Sequence, residues 1–136
     1  MTLPTGEHST LYLCGRGSYL NLLYGNLLEI DEMQLRYGLQ DYNLTFVQQA
    51  GAHDKIRLSL YHGQDRMNLL QEDFADENKL NWQNTAAALH WQHHSSRFIL
   101  QQNATFSRYR NTLDMGIRSV SLNLSSGITQ AGYAAR

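Results

Sequence analysis

Apolar and polar residues alternate one by one along most of this chain, and a period of two marks strands whose two faces meet different surroundings. Over residues 54–63 one face carries Ile56, Leu58 and Leu60, and the other carries Arg57, Ser59 and Tyr61. Over residues 97–109 the apolar face is Phe98, Leu100, Ala104 and Phe106, opposite Ile99, Gln101, Asn103, Thr105 and Ser107, with Ile99 alone breaking the pattern. Residues 42–49 set Leu44 and Phe46 against Asn43 and Thr45, and residues 85–92 set Ala87, Leu89 and Trp91 against Ala88, His90 and Gln92. Val120, Leu122 and Leu124 alternate with Ser119, Ser121, Asn123 and Ser125; residues 9–18, less regular, set Leu11 and Leu13 against Tyr12 and Arg16. The pattern predicts an all-β, antiparallel up-and-down meander of about six strands, near residues 9–18, 34–49, 54–64, 82–93, 96–109 and 116–128, within one segment spanning residues 1–136.

The connections between these runs alternate in length. Residues 50–54 and 93–96 are short and carry turn chemistry, whereas 19–33, 64–80 and 110–116 read as longer, mostly polar loops. Short turns at one end of a sheet and long loops at the other describe an outer-membrane barrel. A soluble sandwich would need crossovers between two sheets, which nothing in the sequence signals. Inside the first long link, Leu22, Leu23, Leu27 and Ile30 fall near helical spacing, so residues 21–32 are expected to form a short amphipathic turn or helix. The acidic run 71–77 reads as a solvated loop tip; it lacks the ligand spacing and glycine of a calcium loop, and no metal is expected there.

Charge removes one class of partner. Lys plus Arg number 11 against 12 for Asp plus Glu, so no net field draws the chain to nucleic acid. The single Cys14 can form neither an internal disulfide nor a thiolate metal site. Residues 1–6 have neither the basic start nor the apolar run of a signal peptide, which leaves a cytoplasmic chain or one whose beginning was cut away. No run approaches the ~20 apolar residues of a membrane-spanning helix, but strands that alternate over ~10 positions remain open as a way across a bilayer.

Catalytic chemistry is not signalled. His90, His93 and His94 are close in sequence, but alternation turns His90 to one face and leaves the other two in a turn, so convergence on a metal is not expected. No nucleophile elbow and no phosphate-binding glycine loop is present. The chain is expected to be no enzyme and to carry no cofactor.

Several motifs, in order, resemble one family. Ser18-Tyr-Leu-Asn-Leu-Leu23 after Cys14-Gly-Arg-Gly17 resembles the early barrel of TonB-dependent receptors from Bacteroidota. Tyr37-Gly-Leu-Gln-Asp-Tyr-Asn43 is similar to that family's start of a descending strand, and the run from Asp54 to Arg66 to its next ascending strand. Asn81-Trp-Gln-Asn84 resembles a further descending start, and Thr105-Phe-Ser-Arg-Tyr109 an ascending strand. Gly17 stands where the family usually has arginine, Asn21 where it has aspartate, and Gln83 where it has glycine.

The resemblance implies a fragment of a large transmembrane β-barrel in the cell outer membrane of a Gram-negative bacterium. Such receptors close roughly 22 strands around an N-terminal plug and take up a scarce nutrient, such as an iron chelate, cobalamin or a glycan. The implied partners are outer-membrane lipid, the missing plug domain, the remaining barrel strands, and the TonB energy-transducing system acting through the parent protein. This segment would supply barrel wall and extracellular loops. Its lumen-facing candidates are Arg16, Asn43, Arg57, Tyr61, His90, Gln101 and Asn103. Its lipid-facing candidates are Leu44, Phe46, Ile56, Leu58, Leu60, Leu89, Phe98, Leu100, Phe106, Leu122 and Leu124. Tyr12, Tyr42, Tyr61, Trp82, Trp91 and Tyr109 are expected near strand ends, as in interfacial aromatic girdles. The alternative is a soluble β-barrel or sandwich that binds a small apolar ligand, with the same apolar faces turned inward as a core.

Overall fold

The computed structural model describes residues 1–18, 29–30, 33–71, 76–117 and 120–136. Strand β1 (Thr2–Gly6) folds back on β2 (Ser9–Gly17), and the two-residue β3 (Glu29–Ile30) pairs with the start of β4 (Met33–Ala50). Four long strands follow: β5 (Asp54–Gln71), β6 (Asp76–His94), β7 (Ile99–Ile117) and β8 (Val120–Ala135). They form one open sheet in the order β1-β2-β4-β5-β6-β7-β8, with every neighbouring pair antiparallel. The up-and-down meander read from period two is therefore present, with β1 added at one edge. Among the described residues there is no helix.

Local chemistry closes the two short turns. Gly51 takes a φ of 77°, a left-handed conformation that a side chain disfavours, and the Gln49 amide caps its carbonyl at 3.2 Å. At the other turn the Ser95 N–H donates to the Phe98 carbonyl at 2.8 Å.

The strands are far longer than alternation indicated. β5 has 18 residues and β6 and β7 have 19 each, where a bilayer crossing needs only about 9–11. The segments 64–80 and 110–116, expected as loops, are mostly ladder, with Met67 paired with Leu80, Leu69 with Asn78, Leu113 with Leu124 and Met115 with Leu122. Only residues 72–75 separate β5 from β6 and only 118–119 separate β7 from β8, so the expected alternation of short turns with long loops is corrected at both links. His93 and His94 likewise end β6 instead of lying in the turn. Of the expected helical turn over 21–32, Glu29 and Ile30 are strand and the rest lies outside the described residues, as do residues 72–75 of the acidic run.

Antiparallel partners share a face, so the registers fix what each side of the sheet carries. On the first face, near the short turns, rungs run Leu13, Leu44, Leu60, Ala87, Phe106, Ala131 and Leu11, Phe46, Leu58, Leu89, Ala104, Tyr133. Farther along the same face the rungs turn polar, for example Gln40, Gln64, Gln83, Arg110 and Gly127. The second face does the opposite. Near the short turns it carries Asn43, Tyr61, Ala86, Ser107 and Gln130; farther along it carries Tyr37, Met67, Leu80, Leu113 and Leu124. The apolar side thus changes face midway along each long strand, and this hid the distal halves from a reading that held one face apolar throughout.

No apolar side chain among the described residues is buried, and the one buried polar side chain is Asp41. Leu60, Leu89 and Phe106, in the middle of the first-face band, stand 41%, 45% and 42% exposed. A folded chain of this length ordinarily removes about two thirds of its surface from water, so a single sheet leaves its apolar faces for something else to cover. If the distal halves are ladder, amide hydrogen exchange of the refolded chain in detergent is expected to be slow at residues 65–70 and 111–115. Free-loop exchange rates at those amides would contradict the long strands.

Candidate functional site

The band on the first face is the larger feature. Leu44, Phe46, Ile56, Leu58, Leu60, Leu89, Leu100 and Phe106, grouped from the sequence as one apolar side, do share that face. Leu11, Leu13, Ala131 and Tyr133 extend it and were not among the candidates. Phe98 precedes β7 in the short turn and is 57% exposed. Leu122 and Leu124 are corrected: opposite Met115 and Leu113, they lie on the second face in the distal half. Parity along β8 could be connected to β7 only by knowing the register across their link, and the sequence does not state it.

All seven polar candidates, Arg16, Asn43, Arg57, Tyr61, His90, Gln101 and Asn103, lie on the second face. Their grouping follows from period two, because each sits within a run whose phase was read correctly. Pairs of them meet across strands. His90 Nδ1 and Asn103 Oδ1 are 2.5 Å apart, and the Thr45 hydroxyl donates to Ser59 at 3.4 Å on the same face.

Between β2 and β4, toward one edge of this face, Arg16 Nε donates to Asp41 Oδ2 at 2.8 Å, with a second guanidinium nitrogen at 2.6 Å. The Asp41 side chain is 13% exposed and that of Arg16 69%. The pair sits where the second face passes from polar to apolar, with Leu39 next along β4 on that side. Gly63, opposite Asp41, is buried beneath the Tyr61 ring, and an added methyl there would meet the ring at 3.0 Å. Beyond the pair, the amide oxygens of Asn78 and Asn111 have no partner among the described residues.

A second cluster caps the short-turn rim of the first face. Asp54 Oδ1 accepts from Trp91 Nε1 at 2.9 Å and meets His93 Nδ1 at 2.8 Å. The His93 ring lies 6.1–6.3 Å from those of His53, Trp91 and Phe98. The hydrogen bond from His93 holds the Asp54 carboxyl below its ordinary range, with the Trp91 bond acting the same way against partial burial. Asp54 precedes Ile56, where the band begins.

The aromatic residues divide between the faces. Tyr42 and Trp91 lie on the first and Tyr12, Tyr61, Trp82 and Tyr109 on the second; Tyr42, Tyr61 and Tyr109 stand midway along their strands, so the expected placement of these residues near strand ends is corrected for them. His90, His93 and His94 do not converge, and no metal-binding group of three occurs among the described residues. No helix of the described residues is long and apolar enough to cross a membrane, which says nothing of crossing by strands. Comparison with known protein families, with curated proteins and with solved structures finds no match for this chain.

A carboxylate held below its unfolded value stabilises the fold above the ordinary carboxylate range and loses that contribution as pH falls through the folded value. Acid unfolding in detergent is therefore expected to shift to higher pH in Asp54→Asn, with little change in stability between wild type and variant at the lowest pH. An unchanged acid midpoint would show that the Asp54 cluster carries no pH-dependent stability.

Proposed function

We propose that this chain is wall of an outer-membrane β-barrel, with its first face toward lipid and its second toward the lumen. The observation that carries this reading is a long antiparallel sheet with no buried apolar side chain among the described residues and a continuous apolar band on one face. In water such a band would cost about 25 cal/mol for each Å² left uncovered. Acyl chains would cover it without a second protein layer. On the second face, at the same level, sit Arg57, His90, Asn103 and the Arg16–Asp41 pair, groups suited to a wet interior. The soluble alternative requires the apolar residues to close on one another, and Leu60, Leu89 and Phe106 do not.

Strand length supports the same arrangement. About ten residues of each long strand would fit the bilayer, and the remainder would extend beyond it at the end opposite the turns at 51–53 and 95–98. Past the membrane the outer face meets water, where it is polar, and the inner face turns apolar. The outer edge of β8 has no partner among the described residues, and unpaired backbone is not tolerated against lipid, so closure requires further strands. The parent protein is, on this reading and on the ordered motifs, a TonB-dependent receptor or transporter for nutrient uptake. The chain would contribute wall to it, with the plug and the TonB contact lying elsewhere.

The chain's two tryptophans provide the test, since Trp91 lies on the first face at the band and Trp82 on the second face in the distal half. In Trp82→Phe, leaving Trp91, refolding into vesicles with brominated acyl chains is expected to quench fluorescence strongly; in Trp91→Phe, leaving Trp82, it is expected to quench weakly. Equal quenching, or none for Trp91, would reject the orientation. Leu58→Arg, in the middle of the band, is expected to lower stability in lipid by about 2–4 kcal/mol.

A further inference from the structure

Above the apolar band, the first face carries arginines that the wall itself does not need. Arg36, Arg66, Arg108 and Arg110 are all exposed on it, and none has an ion-pair partner among the described residues. Asp114 lies on the same face higher up, where Asn123 donates to its carboxylate and Lys79 stands opposite. On the outside of a sheet these guanidinium groups neither line a lumen nor pack a core.

Their level is informative. In a barrel whose strands tilt by about 35–45°, a line of constant height steps along the strands by about one residue per strand. Arg66 pairs with Gly38, two residues nearer the short turns than Arg36. Arg66 also pairs with Asn81, and Asn81 with Thr112, so Arg110 lies two residues nearer again, two strands on. The upper limit of the apolar band drops in the same direction, from Tyr42 on β4 to Phe106 on β7, where Arg108 is already level in register with Tyr42 through His62 and Thr85. The arginines thus run roughly parallel to the edge of the band and above it, Arg108 two residues and Arg110 four beyond Phe106, Arg66 six beyond Leu60 and Arg36 six beyond Tyr42.

We propose that Arg36, Arg66, Arg108 and Arg110 form a binding strip for phosphate-bearing lipid headgroups of the leaflet at the end opposite the turns at 51–53 and 95–98; this rests on the membrane reading above. The strip lies two to six residues beyond the last apolar residue of each strand, on the water side of the border where acyl chains would end and on the side where headgroup phosphates stand. Arginine is suited to the task because its planar fork engages phosphate oxygens in pairs and stays charged. Gln40, Gln64, Gln83 and Thr85 on the same face supply neutral donors between the charges. The headgroup would pin the height of the wall in the bilayer through charge, while the band below sets it through hydrophobicity.

The full chain is refolded into pure phosphatidylcholine vesicles, into phosphatidylcholine mixed with phosphatidic acid, and into phosphatidylcholine with free inorganic phosphate, reading Trp91 fluorescence against lipid concentration. Phosphatidic acid is expected to lower the half-saturating lipid concentration by roughly fivefold for each engaged arginine. Arg36→Gln/Arg66→Gln/Arg110→Gln is expected to lose most of that gain, and high salt to weaken it. A control lacking the charges of the short-turn end, Lys55→Gln/Arg97→Gln, is expected to keep it. Insertion into phosphatidylcholine without any gain from phosphatidic acid, an equal gain in the triple variant, or an equal gain from inorganic phosphate would overturn the strip and leave the wall reading standing.

Discussion

One constraint governs this molecule: a single antiparallel sheet has two faces, and the hydrogen-bond ladder decides which residues each receives. Because side chains alternate with a period of two, a slip of one residue would exchange the faces completely. The ladders of β4, β5, β6 and β7 run unbroken in register, so the assignments are collective. Fixing Leu58 on the first face fixes Phe46, Leu89 and Ala104 there with it. What covers that face is then a property of the whole sheet, and no single residue can be turned round to suit a different solvent.

The reversal of apolar character midway along the strands gives the sheet two environments at different heights. In the half near the short turns the first face is aliphatic and the second is hydrophilic; in the distal half Met67, Leu69, Leu80, Leu113 and Met115 place the apolar groups on the second. On the proposed membrane reading, a bilayer of finite thickness would ask for this arrangement, because a wall would need apolar groups outside only where there is hydrocarbon outside. Beyond that level, on the same reading, the sheet would follow the rule of soluble proteins, with polar groups facing water and apolar groups facing inward.

The fold class and the face of every polar candidate were legible because alternation needs only a strand's own residues. The number and length of strands were less so. Residues 1–6 read as a bare terminus, since the short alternation of Leu3 with its neighbours has meaning only against Leu11 across the hairpin. Residues 64–71 and 110–117 read as loops because their apolar residues, Met67 with Leu69 and Leu113 with Met115, are out of phase with Leu58 and Phe106. The Asp54 cluster escaped for a different reason. Its members, Asp54, Trp91 and His93, come from the facing ends of two strands, and only the ladder brings Asp54 opposite His93.

The Arg16–Asp41 pair stands where these constraints meet. Asp41 is the least exposed charged side chain described, at the height where the second face turns from hydrophilic to apolar. A carboxylate left unpaired there would be costly, and the guanidinium at 2.6 Å with its second bond at 2.8 Å supplies the compensating charge and a directed donor. The same pair penalises a wrong register. Sliding β4 by one residue would carry Asp41 to the aliphatic side and separate it from Arg16, while Leu44 and Phe46 moved to the hydrophilic one. Hydrophobicity alone would resist that slip gradually, rung by rung; a buried charge with a single matched partner resists it at once. The pair's role is therefore read most economically as register specification, with the apolar band supplying the stability that the register makes possible.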